Sequence, residues 1–182
     1  MTEDTEQTTT EAEPAAQDKP DPVIERIQKE FGKDLVNAYE SYGMRTIVVS
    51  SDRVFEVMKF LKEDNELSFN FLTDECGIHY PDNVGQELGV IYHLHNFMNN
   101  TRLRVETFFS IENPVVASMT PLWPAANWME RETFDFYGII FEGHPDLKRI
   151  LNMDDMDYFP MRKQYPLEDA TREDKNDKMF GR

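Results

Sequence analysis

The sequence contains a single cysteine, Cys76, among its 182 residues. One thiol cannot close a disulfide within the chain. It also cannot supply the four ligands of a structural zinc ion or of an iron–sulfur cluster. We therefore expect this chain to hold no cysteine-bound redox centre of its own.

Basic residues and long apolar runs are also scarce. The chain has 19 lysines and arginines against 35 acidic residues, which gives a formal net charge of −16. This balance argues against nucleic-acid binding and against direct adhesion to anionic lipids, because both require a basic surface. No apolar run approaches the roughly 20 residues needed to cross a bilayer, and no secretory signal pattern is visible. Any association with a membrane is therefore expected to be indirect, through protein partners.

Motifs for nucleotide binding and for nucleophilic hydrolysis are absent. There is no Walker loop and no Gly-x-Ser-x-Gly elbow, and Gly85 and Gly89 lack the third glycine and the strand–turn–helix context of a dinucleotide fingerprint. A redox enzyme must hold a flavin, a nicotinamide or a metal. The sequence offers no motif for any of them.

The chain does have enough apolar residues to form a core, with a hydrophobic content of 40% and thirteen phenylalanines. Residues 1–22 are acidic and poor in apolar side chains, so we expect a disordered tail. Residues 23–151 are predicted to form one α+β domain. Residues 152–182 are predicted to form an extended interaction arm, because their aromatic residues are of the type enriched at protein interfaces. The alternative is a tail that packs against its own domain.

Two helices and four strands are predicted before residue 113. The first helix begins at Asp21-Pro22 and ends at Gly32, and the second follows Ser51-Asp52, with apolar residues at helical spacing. β-Branched or alternating residues predict strands at 46–50, 67–71, 90–95 and 103–107, with a hairpin turn at Asn99-Asn100. The expected architecture is an antiparallel or mixed sheet covered by two helices, followed by a further helix and the arm.

Three histidines could form a metal site. His93 and His95 lie on the same face of one predicted strand, and His79 ends a neighbouring one. Together with Asp74 or Glu75 they could hold zinc or iron. The favoured interpretation is that these histidines are ordinary residues of a half-buried sheet, because metal ligation needs three or four aimed donors.

The most densely patterned stretch is residues 128–149, WMERETFDFYGIIFEGHPDLKR. It predicts a helix over residues 124–138 that ends on Gly138 in a left-handed conformation. Glu132 and Asp135 are three residues apart and repel each other, and Asp135 lies at the helix end that disfavours an anion. A cation is therefore expected to meet this face, from another protein or from the chain itself: Arg149, Arg162 or Lys163.

The acidic residues of this helix have two interpretations. Glu130, Glu132 and Asp135 could perform acid–base chemistry or line a quinone or proton path. The simpler interpretation is a charge network with Arg131, Arg149, Arg162 and Lys163 that fixes the arm on the helix, through bidentate arginine–carboxylate pairs. His144, in the sequence Gly143-His144-Pro145, is expected to hydrogen-bond backbone in its turn.

The pattern ERExxDxxGIxFxGHPxLxRIL, followed by PxRKxYP at residues 160–166, resembles the signature of the C-type subunit of NADH–quinone oxidoreductase. This is the respiratory complex I component homologous to mitochondrial NADH dehydrogenase iron–sulfur protein 3. The resemblance implies structural or interface roles, with no catalytic, cofactor or metal ligand role, for the matching residues: Glu130, Arg131, Glu132, Asp135, Gly138, Gly143, His144, Pro145, Arg149, Arg162 and Lys163.

The resemblance also implies a setting. FMN and iron–sulfur clusters are expected in partner subunits, which pass electrons from NADH to quinone and couple this to proton translocation. The expected partners are the D-type and B-type subunits, at the cytoplasmic face of the cell inner membrane. Two alternatives are a free metal-dependent enzyme built on His79, His93 and His95, and a standalone acidic adaptor.

Overall fold

The computed structural model describes residues 21–165. The predicted tail, except for its last two residues, and the final part of the arm lie outside this range. The helices and strands run in the following order: α1 Pro22–Phe31, β1 Leu35–Ser41, β2 Met44–Val49, α2 Val54–Glu63, β3 Phe71–His79, β4 Leu88–Asn96, β5 Thr101–Phe109, β6 Val115–Ala117, α3 Ala126–Tyr137 and β7 Ile140–Glu142.

Five strands form the main sheet in the order β1-β2-β5-β4-β3. All neighbouring strands are antiparallel except β2 and β5, which are parallel. The short strands β6 and β7 form a second, parallel sheet. The fold is therefore α+β with a mixed sheet, which confirms the predicted class.

The alternating pattern of β4 determines which face of the sheet is buried. Val90, Tyr92 and Leu94 are buried in the core, and His93 and His95 lie on the opposite face. The predicted hairpin between β4 and β5 is confirmed, and Asn100 adopts a left-handed conformation in its turn, with φ of 55°. Asparagine tolerates this conformation better than most residues.

One strand was mislocated and another was not predicted. The prediction of a strand over 67–71 is wrong, because residues 67–70 are irregular and β3 begins at Phe71. Leu67 and Phe69 are nevertheless buried, so their alternation reports burial rather than a strand. The unpredicted strand β1 is an edge strand that joins β2 through the left-handed pair Tyr42-Gly43.

The first two helices follow the sequence signals closely. Asp21 caps α1 by accepting the backbone N–H of Val23 at 2.9 Å. Helix α2 places its predicted apolar stripe in the core against the sheet, at Val54, Val57, Met58 and Leu61. None of the helices between residues 21 and 165 is both long and apolar enough to cross a membrane.

Helix α3 packs closely against strand β3. A Cβ atom at Gly77 of β3 would lie 2.5 Å from the Tyr137 ring and 3.0 Å from the Thr133 methyl group. The absence of a side chain at Gly77 therefore lets the helix approach the strand. Helix α3 begins two residues later than predicted and ends as predicted, with Gly138 at φ of 75°. This packing fixes the position of the charged face of α3.

Candidate functional site

Asp135, in the last turn of α3, is fully buried and accepts hydrogen bonds from five donor groups. One oxygen, Oδ2, accepts the backbone N–H groups of Ile150, Leu151 and Asn152 at 3.1, 2.8 and 2.9 Å. The other, Oδ1, accepts the Arg149 guanidinium at 2.7 Å and the Asn152 side-chain amide at 3.0 Å. Asp135 thereby fixes on the helix the chain that leads into the predicted arm. From here on the arm means residues 150–165, which are the described part of the predicted arm and the two residues before it.

The donors around Asp135 determine its protonation state. Burial by itself raises the pKa of the carboxyl. The backbone N–H groups of Asn152 and Leu151, the Arg149 guanidinium and the Asn152 amide lower it more, so the pKa lies well below its usual range. Asp135 is thus a carboxylate at neutral pH. Because its folded pKa is depressed, its contribution to stability is present above about pH 4 and is lost as the pH falls further.

Arg149 connects the helix end to the arm. Its guanidinium donates to the backbone carbonyl of Asp135 at 2.9 Å, to that of Met156 at 2.7 Å and to that of Tyr158 at 3.1 Å. One nitrogen contacts both the Asp135 carboxylate and its carbonyl, and the other contacts the arm. The predicted cation on the Asp135 face is therefore Arg149, although the pair is not the bidentate type that we expected.

Phe159 is the second fixed point of the arm. A Cβ atom at Gly138 would lie 2.5 Å from the Phe159 ring, so the ring packs directly on the glycine that ends α3. The Arg149 and Arg162 guanidinium carbons lie 5.1 and 4.7 Å from the ring centroid, which is cation–π distance. Arg162 also donates to the Tyr137 carbonyl at 2.8 Å, which satisfies a free carbonyl at the helix end.

The arm then returns to the sheet. The backbone N–H of Met161 donates to the Phe136 carbonyl at 3.2 Å. That of Lys163 donates to Nδ1 of His79 at 3.0 Å. The positions from 150 to 163 therefore lie against α3 and the end of β3. This part of the arm is therefore held on its own domain, and its interaction with another protein stays a prediction.

Glu130 does not belong to the charge network that we predicted. It is fully buried, and it accepts the Ser118 hydroxyl at 2.7 Å and the Met119 backbone N–H at 2.5 Å. No lysine or arginine between residues 21 and 165 pairs with it, and Nε2 of His144 lies 4.0 Å away. Burial raises the pKa of Glu130 to about 7, against the opposing effect of these hydrogen bonds. The prediction of a cation partner for Glu130 is therefore wrong.

His144 has the structural role that we predicted. Its Nδ1 accepts the Asp146 backbone N–H at 3.0 Å, so the ring proton lies on Nε2, which donates to the Asn127 carbonyl at 3.1 Å. The side chain is completely buried. Gly143 precedes it at φ of 84°, and Pro145 follows on the surface. The turn thus fixes the chain that leads from β7 to Arg149.

Arg131 and Glu132 contribute differently from expectation. Arg131 donates to the carbonyls of Lys148 and Arg149 at 3.1 and 3.0 Å and lies over the Trp128 ring. Arg131 thus binds backbone carbonyls and does not pair with a carboxylate of α3, unlike in the predicted charge network. Glu132 is exposed to solvent.

The three candidate metal ligands do not converge. His79 lies opposite Leu88, which places it on the core face of the sheet, whereas His93 and His95 lie on the other face. Nε2 of His93 accepts a hydrogen bond from Arg104 at 3.2 Å. Within residues 21–165 no group of three or more histidine, cysteine, aspartate or glutamate side chains could hold a metal ion. The alternative of a metal-dependent enzyme thus loses its proposed ligand set.

Sequence reasoning did not identify Asn152, Ser118 and Phe159 as parts of the site. Asn152 and Ser118 are small polar residues without a pattern of their own. Phe159 was recognised only as one of several aromatic residues in the arm. Its position before the arginine of PxRK was the available signal, since arginine next to an aromatic residue is a common cation–π pair.

Replacing Asp135 with asparagine is expected to lower the free energy of unfolding at pH 7 by about 2–3 kcal/mol, because it leaves a nearly buried arginine without its anion. The loss of unfolding free energy should be smaller at pH 3, because the Asp135 carboxylate of the wild type contributes less to stability there. Denaturant unfolding at both pH values measures it. Glu132→Gln, an exposed change on the same helix, is the control and should stay within about 0.5 kcal/mol of wild type. Equal effects of the two changes would contradict the assignment.

Replacing Gly138 with alanine tests the contact with Phe159. Gly43→Ala is a matched control, because Gly43 has nearly the same φ, 73° against 75°, and no atom lies within 4 Å of the added Cβ. Both variants bear the left-handed strain of roughly 1–2 kcal/mol. Gly138→Ala should cost about 1–3 kcal/mol more in unfolding free energy, because its methyl group overlaps the ring. An equal cost at the two positions would show that Phe159 does not pack on Gly138.

Comparison with known proteins places this geometry in a family. Residues 47–171 match the family described as the respiratory-chain NADH dehydrogenase, 30 Kd subunit. The C-type subunit of the NADH-quinone oxidoreductase of Roseiflexus sp. (strain RS-1) is 42% identical over 147 residues, which cover 80% of this chain and 83% of that protein. The corresponding protein of Polynucleobacter asymbioticus is 43% identical, over 78% of this chain and 74% of that protein.

Two solved structures are similar in fold. The trypsin-resistant fragment (1-134) of Nqo5 has a TM-score of 0.59 and 33% sequence identity, and the match covers 68% of this chain and 98% of the fragment. An archaeal respiratory membrane complex, the membrane-bound sulfane sulfur reductase, contains a chain with a TM-score of 0.66 and 21% identity, over 80% and 84% of the two chains. The second likeness concerns the fold alone. The family match and the identity of the two bacterial relatives show that the chain belongs to the 30 Kd subunit family of the respiratory-chain NADH dehydrogenase, which comprises the C-type subunits of NADH–quinone oxidoreductase.

Proposed function

We propose that this chain is a non-redox subunit of an NADH–quinone oxidoreductase complex, and that its task is assembly through docking of the D-type subunit. The complex as a whole would transfer electrons from NADH through FMN and iron–sulfur clusters to quinone, coupled to proton translocation. Those cofactors would be held by partner subunits. The support for this division of labour is the single cysteine of the chain, since iron–sulfur clusters are ligated mainly by cysteine thiolates.

One observation carries the docking proposal: the arm is fixed by its backbone and yet presents apolar side chains to solvent. Leu151, Met153, Tyr158 and Met161 have exposed fractions of 65%, 68%, 41% and 43%. All four lie between residues 151 and 161, and exposed apolar patches mark interaction sites in many soluble proteins. Tyrosine and methionine are also among the residues enriched at protein interfaces. These four side chains are called the docking face below.

The way in which the arm is held favours binding. Asp135, Arg149 and Arg162 bond mainly to arm backbone or helix carbonyls, so they fix the course of the chain without covering the docking face. A segment already ordered before binding avoids an entropy cost of about 1–2 kcal/mol per residue. These hydrogen bonds of Asp135, Arg149 and Arg162, called the clamp below, therefore present a preformed surface.

The charge around the docking face indicates what the partner offers. Asp154, Asp155 and Asp157 are exposed within the same segment. Complementary charge at the rim of an interface speeds encounter and selects partners. We therefore expect the docking surface of the D-type subunit to be apolar at its centre and basic at its rim. The B-type subunit is proposed as a second neighbour, and the whole assembly is proposed to lie at the cytoplasmic face of the inner membrane.

Met153→Glu tests the docking face directly. Placing a charge in an apolar contact should weaken association by about tenfold or more, since changes at central interface residues often cost roughly 2 kcal/mol. The expected result is less assembled complex on native gels and less NADH–quinone oxidoreductase activity in membranes. The melting temperature of the isolated chain should not change, because Met153 is exposed.

The matched control is Val84→Glu, an exposed apolar residue in the loop between β3 and β4. It should leave the amount of complex unchanged. Affinity purification from detergent-solubilised membranes then identifies the subunit lost with Met153→Glu, which should be the D-type subunit. Full assembly with Met153→Glu, or recovery of the wild-type chain without any other subunit, would refute the proposal.

A further inference from the structure

A buried acidic residue in strand β3 has no role in the arm or the docking face. Glu75 lies directly opposite Tyr92 of strand β4, so the two side chains point to the same face of the sheet. That face is the core face, because Tyr92 alternates with His93 and follows the buried Val90. Glu75 is 2% exposed and Tyr92 is fully buried.

Neither side chain finds a hydrogen-bond partner. Both carboxyl oxygens of Glu75 and the hydroxyl of Tyr92 are buried and unbonded among the residues from 21 to 165. The same is true of the Thr107 hydroxyl, which lies on the core face opposite Val90, two positions from Tyr92 along β4. An ionised carboxylate without partners in such a place is very unfavourable, and the group neutralises instead.

Helix α3 covers this place with a second acid. The helix packs on β3 at Gly77, two residues from Glu75, through Thr133. Glu130 lies one turn earlier on α3, and its charge acts on both Glu75 and Tyr92. Other charged or titratable groups near the site, among residues 21–165, are Asp74, the exposed neighbour of Glu75, Tyr137, whose ring packs on Gly77, and His144, 4.0 Å from Glu130.

We propose that Glu75, Tyr92 and Glu130 form a buried proton-binding site, in which Glu75 is a neutral carboxylic acid in the folded protein at neutral pH. The unfolded chain carries this side chain as a carboxylate at that pH, so folding takes up a proton from solvent. Glu130 is the second titrating group of the site. Its carboxyl accepts two hydrogen bonds that favour the anion, whereas Glu75 has none, so the proton resides on Glu75 first.

The site makes the packing of α3 sensitive to pH near neutrality. Burial raises the pKa of Glu75 well above its ordinary range and that of Glu130 to about 7. For acids with raised folded pKa values, the folded state holds more protons than the unfolded state above the ordinary glutamate range. The contribution of this site to stability is therefore greatest below about pH 4.5 and is lost as the pH rises through the folded pKa values of the two acids. The affected helix is the one that carries Asp135 and the arm.

The test is the pH dependence of folding of the full chain. For each proton retained only by the folded state, the folding equilibrium constant falls about tenfold per pH unit. In wild type the folding equilibrium constant should fall in this way between pH 5 and pH 8. In Glu75→Gln the fall should be smaller by about tenfold per pH unit, which is the contribution of one proton. Glutamine is uncharged at every pH, so its packing cost is the same at both ends of the range and cancels from the slope. Glu40→Gln, an exposed change in β1, should keep the wild-type slope.

The protonation state of Glu75 can also be observed by NMR of the glutamate carboxyl groups. In wild type with ¹³C-labelled glutamate carboxyls, one signal should keep the position of a neutral acid from pH 5 to pH 7, and Tyr92→Phe should shift it. This measurement still decides the question if Glu75→Gln does not fold. Coincident slopes for wild type and Glu75→Gln, or a set of glutamate signals that all titrate in the ordinary range, would overturn the proposal.

Discussion

The carboxylate of Asp135 is the interaction on which the course of the chain after α3 depends. An anion at the carboxyl end of a helix is disfavoured by the helix dipole, and a buried one also loses its hydration. Three backbone N–H groups, one amide and one guanidinium offset both costs. These donors come from residues 149–152. Residues 150–152 lie in no helix or strand, so ordering their backbone costs about 3–6 kcal/mol. Asp135 thus stabilises a segment that lies outside regular secondary structure.

Two buried acids of helix α3 have opposite pKa shifts because their surroundings differ. Asp135 meets Arg149 and is charged, with its pKa depressed. Glu130, five residues earlier, accepts hydrogen bonds from two neutral donors, and burial raises its pKa. The difference lies in what faces each side chain, because both are fully buried. One acid consequently orders the arm, and the other belongs to the site beneath the helix.

Much of the fold was predictable because periodicity and caps act locally. The alternation of β4, the turn at Asn100, the Asp21 cap and the stop at Gly138 each depend on a few adjacent residues. Hydrogen-bond and ion-pair partners were harder to predict, because they come from residues that lie far apart in the sequence. A cation facing Asp135 was inferred from the unfavourable position of this acid on the helix, but Arg149, Arg162, Lys163 and another protein all remained candidates. The isolation of Glu130 was not inferred, because nothing in the spacing shows that Ser118 and Met119 meet it.

The burial of Glu75 escaped prediction for a related reason. The register of β3 and β4 shifts between Leu72 and Asp74, which moves Glu75 to the core face. Such an irregularity changes the face of every residue after it, and a sequence pattern does not reveal it. The same shift placed His79 on the core face, away from His93 and His95, and so separated the ligands of the hypothetical metal site.

The family places the chain in a respiratory complex, and the clamp explains how an irregular segment can present a defined surface to a neighbour before assembly. The most direct measurement of the clamp is amide hydrogen exchange of the isolated wild-type chain at neutral pH. The amides to follow are the backbone N–H groups of Ile150, Leu151 and Asn152. The account predicts that these three amides exchange about as slowly as those of α3. Exchange at the rate of an unstructured peptide would contradict it.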